Sequence, residues 1–220
     1  MPMTTPHLIP LPRHAGPALP PGAPCAAWSV HAAELAADVA DLVHEWGQTP
    51  TVQVLEAEGQ LVQLLPGIFA PPDLLDSPID RVISLGCAIG SRLRAHHVVA
   101  GVSAAWVCLG GPPPSPAELL SMSHRSTVAG AVIRHAQLRA GDVETVGGAP
   151  VTVPARTAAD LLRFERLPGV LELVGRLLDE GHVTVEGVSE RLAAMHRHPG
   201  SRAAGARLLQ VIAARSNRAA

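Results

Sequence analysis

The chain has 220 residues, 47% of them apolar and 16% charged, which is enough for one core or two small ones. All 17 basic residues are arginine, so no lysine exists for a Schiff base or a Walker loop; pyridoxal-phosphate catalysis and a standard P-loop NTPase are excluded. The formal charge of −2 is unevenly divided: residues 1–80 hold Arg13 against nine acids, residues 81–220 hold sixteen arginines against ten acids, and the last thirty residues hold six arginines and no acid.

Taken in chain order, residues 1–27 read as a disordered or extended arm. Eight prolines fall in the first 24 residues, and no basic start precedes an apolar run, so no secretory signal is expected in this segment. Leu35, Val39, Leu42 and Trp46 share one helical stripe, predicting a helix over 31–46 capped by Ser29 and ended by Gly47 and Pro50. Residues 51–58 fit a short helix or a strand. Residues 60–70 read as two short strands around a Pro66-Gly67 turn. Pro71, Pro72 and Pro78 mark a linker, and a helix is predicted over 82–95. Residues 98–109 read as a buried helix, broken hard by the GGPPPSP run at 110–116. Strands are predicted at 131–135 and 151–153, with Gly147-Gly148 as a turn before the second. Helices follow over 157–164, 167–180 (stopped by Gly181), 184–195 (capped by Thr184) and 201–214 (capped by Ser201).

No candidate chemistry assembles from these elements. His96 and His97 are adjacent and diverge on a helix, Arg197 separates His196 from His198, and no H-E-x-x-H occurs. No metal ligands are therefore assigned, and the histidines read as surface or capping residues. The G-x-S-x-G pattern fails at Ala105, and Gly86 and Gly90 lack the order of a dinucleotide site. Asp142 with Glu144 lies near a turn, and Asp179 with Glu180 at a helix end. No catalytic residues and no cofactors are expected. Cys25, Cys87 and Cys108 are odd in number without a C-x-x-C, and they read as reduced, buried thiols of a cytoplasmic protein. The longest apolar stretch, 98–109, is too short to span a bilayer, so no membrane partner is expected. The acidic front and basic tail read either as two surfaces with different partners or as one self-neutralising globule.

One region carries a resemblance. Gly101, Ser103, Ala104, Ala105 and Trp106, followed by Asp142, Val143, Gly148, Pro150, Val151, Thr152, Pro154, Ala155, Arg156, Thr157, Asp160 and Leu161, resemble the AbiEi-type antitoxins and related transcriptional regulators of actinobacteria. The match covers about 70 of 220 residues, and its second stretch is the more specific. The same residues have a plain structural reading: a strand at 151–153 ended by Pro154, Thr157 capping the next helix, Asp160 toward the positive end of its dipole, and Arg156 pairing with Asp160 at i+4.

The resemblance implies an N-terminal winged helix that binds operator DNA. It also implies a following domain that supports repression and opposes a nucleotidyltransferase-type toxin, in the manner of a type IV toxin–antitoxin system. Residues 60–70 resemble the family's wing, with Gln60, Gln63 and Leu65 at positions where the family places arginines. DNA affinity comes mostly from Lys and Arg, and no basic residue lies between Arg13 and Arg81. DNA contacts are therefore expected from Arg92, Arg94 and the tail residues Arg202, Arg207 and Arg215, with Gln60 and Gln63 on the wing. The tail also resembles the stretch that precedes the nuclease in proteins with a very-short-patch-repair-like endonuclease domain. The alternative expectation is thus a protein-binding module without DNA binding, a stand-alone form of that N-terminal region. The predicted architecture is α+β: an arm over 1–27, a small degenerate winged-helix-like unit over 28–72, a mixed domain with a small sheet over 80–165, and a helical basic tail over 166–220.

Overall fold

A computed structural model describes residues 22–47, 49–123, 127–165 and 168–219. Among these the protein is α+β, with eight α-helices and two sheets.

The predicted arm lies outside the described residues up to 21. Residues 22–27 are not extended: they form tight turns, with Ala26 N–H donating to Ala23 and Trp28 N–H to Cys25, and Cys25 is buried. Helix α1 spans Val30–Ala37, with the Ser29 hydroxyl accepting from Ala32 N–H as expected of its cap. It stops well short of Trp46. The chain passes through a 3-10 turn at Ala40–Leu42 into a two-residue strand, β1 (His44–Glu45), because His44 and Glu45 pair with a later strand. Tertiary pairing thus overrides the apolar stripe, and Leu42 and Trp46 are left exposed. Of the two options for 51–58 the chain takes the helix, α2 (Pro50–Ala57), with Pro50 at its first position and Thr49 as cap. Strands β2 (Val62–Leu65) and β3 (Ile68–Ala70) form the expected hairpin, and the first sheet has the order β1-β3-β2. An irregularity between Gln63 and Leu65 lets Leu64 and Leu65 both face inward.

The proline linker is ordered. Pro72–Leu75 is a 3-10 turn, and Pro78 opens α3 (Pro78–Ile89) behind a Ser77–Asp80 capping box. This helix starts earlier than predicted and ends at Gly90, whose φ of 60° a side chain rarely adopts. The predicted buried helix at 98–109 is two elements. Residues 97–99 form strand β4 (His97–Val99), and Gly101, at φ 52°, turns the chain into α4 (Gly101–Leu109).

Two strands fall where no element is predicted: β5 (Ala117–Ser121) and β7 (Val143–Val146). With β6 (Ala131–His135) and β8 (Ala149–Thr152) they complete a mixed five-stranded sheet of order β6-β5-β4-β8-β7. Strands β5 and β6 are parallel, as are β4 and β8; the other two pairings are antiparallel. The β7–β8 hairpin turns at Gly147-Gly148, both with positive φ.

Helix α5 (Pro154–Phe164) begins at Pro154, three residues before the predicted start, and is followed by α6 (Gly169–Asp179), α7 (Val185–Ala194) and α8 (Ser201–Ala219). The predicted start of α6 at Leu167 lies outside the described residues. Gly181 at φ 77° and the Thr184 cap stand where expected, and α8 runs five residues beyond the predicted end. One core joins the N-terminal unit to α3, β4, β5, β8 and one face of α4. A second gathers Leu161, Leu162, Val174, Leu177, Val188, Leu208 and Val211 around α5, with Ala105 of α4 inserted. Helix α4 is apolar all round because it is buried between the two. No helix among the described residues is long and apolar enough to cross a membrane.

Candidate functional site

The residues of the recognisable motif converge where the sheet meets α5. Arg156 is buried and donates through Nε to Asp160 at 2.8 Å, the expected i+4 pair, and through Nη1 to Asp142 at 3.0 Å. Asp160 also accepts from Arg163 Nη1 at 2.8 Å. Asp142 forms a further ion pair with Arg191 of α7. The result is an alternating chain, Arg191–Asp142–Arg156–Asp160–Arg163, that ties the loop before β7 to α5 and α7. Burial pushes the Asp160 carboxyl up, against the opposing pull of the Arg156 and Arg163 guanidiniums. Burial likewise lowers the Arg163 pKa; Asp160 opposes that shift, and the positive charges of Arg156 and Arg134 add to it.

Two expectations for this motif are corrected. Thr157 is not a cap but lies within α5; its hydroxyl donates to the Thr152 carbonyl at 3.0 Å and meets the Thr152 hydroxyl at 2.7 Å, stitching β8 to the helix. Asp160 is the seventh residue of α5, beyond the reach of the N-terminal dipole, and guanidiniums hold it instead. Pro154 occupies the first helical position, where its missing N–H costs nothing.

The first motif stretch centres on Glu118, which the sequence reading did not single out. Its carboxylate accepts from Val102 N–H at 3.1 Å, at the start of α4, and from Arg134 Nε at 2.6 Å. A Cβ on Gly101 would collide with the Glu118 carboxylate, so the position requires glycine on contact as well as on φ. The Ser103 hydroxyl is buried and accepts from Glu118 N–H at 2.8 Å, which makes it a structural link between α4 and β5. Trp106 Nε1 donates to the Gly111 carbonyl and holds the glycine-proline run against α4. The lone acid in the apolar run Ala117–Ser121 was the available signal for Glu118. Arg163 was signalled by its i+3 spacing from Asp160.

Arg134 and Arg163 both lie over the half-exposed ring of Phe164, at 4.7 and 4.4 Å from its centroid. A cavity of about 520 Å3 opens beside them, with Arg156, His135 and His198 also in its walls. His198 Nδ1 is buried without a hydrogen-bond partner.

The expected DNA-contacting residues fall on separate elements. Gln60 is exposed, Gln63 is half-buried within β2, and Arg92 and Arg94 are exposed beyond α3. Arg202 is exposed on α8. Arg207 is turned inward, its Nη1 donating to the Leu162 and Glu165 carbonyls at the end of α5, and Arg215 bonds to Asp179 at 2.6 Å. His97 is not a surface residue. It is fully buried, its Nδ1 accepts Arg94 N–H, and its Nε2 has no partner. Cys87 and Cys108 are half-buried rather than buried, and all three thiols are free. Among the described residues no group of three His, Cys, Asp or Glu side chains could hold a metal ion.

The chain matches no protein-family model, and a search of the curated proteins finds no match either.

Proposed function

We propose that the protein is a non-enzymatic cytoplasmic regulator of the AbiEi type, an antitoxin and transcriptional repressor that opposes a nucleotidyltransferase-type toxin. The observation that carries this reading is the N-terminal topology. Helix α1, edge strand β1, helix α2 and the β2–β3 hairpin follow one another, with β3 between β1 and β2. That order suits a reduced winged helix whose wing is the Pro66-Gly67 turn. The resemblance over 97–164 adds support, since its residues fall together around Glu118 and Arg156. The protein acts by binding and uses no cofactor.

On this reading the duplex does not lie along the acidic face of the N-terminal unit. Arg92, Arg94 and Arg202 supply the contacts, while Arg207 is turned into the fold and Arg215 is engaged in a surface pair with Asp179. Fluorescence anisotropy against the upstream DNA and a scrambled duplex, at low and moderate salt, tests this. The expected result is preference for the upstream DNA, weakened by salt and by charge reversal at Arg92, Arg94 and Arg202. Affinity unchanged by that triple reversal would sink the assignment.

A second reading has its own observation. The N-terminal unit exposes Leu42, Trp46 and Val54 among the exposed acids Asp38, Asp41, Glu45 and Glu56. Exposed apolar side chains on an acidic unit suit a basic protein partner, and charge complementarity speeds such encounters. No binding to either duplex at low salt would favour this module over the repressor.

A further inference from the structure

We infer that the cavity between β6 and the end of α5 is a binding site for a phosphate-bearing ligand. This inference is independent of the regulator reading. Three observations converge on it.

The first is charge. The chain Arg191–Asp142–Arg156–Asp160–Arg163 holds three guanidiniums and two carboxylates, so one positive charge is left over inside the protein. Arg134 is matched by Glu118, with Glu165 nearby, and Arg139 lies near Arg191 and adds a further positive charge. That surplus lies at the Arg191 end; among the described residues the cavity wall itself carries Arg134, Arg156 and Arg163 and no carboxylate, so it presents positive charge to an entering anion.

The second is geometry. Arg134, Arg156 and Arg163 line one cavity, and Arg134 and Arg163 lie over the same Phe164 ring. Guanidinium forks match phosphate oxygens and bind them more specifically than a point charge does. The volume of about 520 Å3 suits a small ligand.

The third is an orphan. His198, in the same wall, has a buried ring nitrogen that no protein group satisfies. Buried polar atoms are nearly always paired, so an unpaired one beside three guanidiniums marks a place where a ligand atom completes the site.

The phosphate can belong to a free small molecule or to a nucleic-acid backbone, and the test separates them. Phosphorus NMR and calorimetry would titrate inorganic phosphate, a nucleoside monophosphate and a duplex into the full chain, in chloride at matched ionic strength. The variants are Arg134→Gln, on the half-exposed rim, and His198→Ala, which leaves every ion pair of the network in place. Thermal unfolding in chloride checks that both are folded.

The expected result is saturable binding of phosphate or the monophosphate that weakens about tenfold or more in each folded variant. If only the duplex binds and both variants weaken it, the site stands and its ligand is a backbone phosphate. No saturable binding of any of the three probes would overturn the inference. So would binding that neither variant changes.

Discussion

The two halves of the molecule use charge in opposite ways. The N-terminal unit, through Asp80, places acids on its surface and contains no arginine among its described residues. The remainder turns much of its arginine inward. Arg81 serves the Leu75, Asp76 and Val107 carbonyls, Arg176 the Leu109 carbonyl, Arg163 the Pro199 carbonyl, and Arg207 two carbonyls at the end of α5. The last carbonyls of a helix have no intrahelical donor, and here guanidiniums from other elements supply one to α4 and α5. A formal surplus of +6 over 81–220 is therefore not a basic surface of that strength. Counting arginines in a sequence overstates nucleic-acid affinity wherever the fold needs donors of its own.

The largest expected effect that sharpens this contrast is at Asp160. Asp160→Ala leaves Arg156 and Arg163 facing each other in a buried site, and urea unfolding should show a loss of about 3–5 kcal/mol. Asp41→Ala on the N-terminal surface should stay within about 0.5 kcal/mol. Comparable losses at the two positions would erase the distinction.

Next comes His97. Burial, then the neighbouring His96 and Arg94, lowers its pKa to about 4, below the ordinary 6.5. The folded state thus favours neutral imidazole while the unfolded chain takes up a proton first. The stabilisation is complete above about pH 6.5 and is lost as pH falls toward 4, by up to roughly 3 kcal/mol. Unfolding midpoints measured from pH 7.5 to 4.5 should fall more steeply for wild type than for His97→Gln. Parallel profiles would show that His97 contributes no such dependence.

A smaller effect is expected at Arg207. Arg207→Met keeps the aliphatic stem but removes the donor to Leu162 and Glu165, at a cost of about 1–3 kcal/mol by thermal unfolding. If the variant were neutral, the inward arginines would be incidental. The smallest effect is at Gln60, where Ala substitution should shift stability by less than about 0.5 kcal/mol.

Much of this was legible in the sequence wherever the cause is local. The β2–β3 hairpin follows from Pro66-Gly67, the Ser29 and Thr184 caps from their own side chains, and the Arg156–Asp160 pair from helical spacing. The C-terminal end of α1 and the strand character of 97–99 were not legible, because both depend on pairing with distant strands. Strand β5 was masked by the proline run before it, and β7 is too short and too polar to stand out. Within the site the i+4 pair was visible. Its partners Asp142 and Arg191 were not, since they are joined only by the folding of β7 and α7 onto α5.

Arg81 has a mechanical consequence. Its guanidinium grips the exit of the N-terminal unit through Leu75 and Asp76, and the last turn of α4 through Val107. A joint fastened on both sides behaves as a weld and not as a hinge. Torque applied to the N-terminal unit is delivered to α4. The opposite end of that helix is seated on Glu118, which holds Arg134 in the wall of the cavity beside β6.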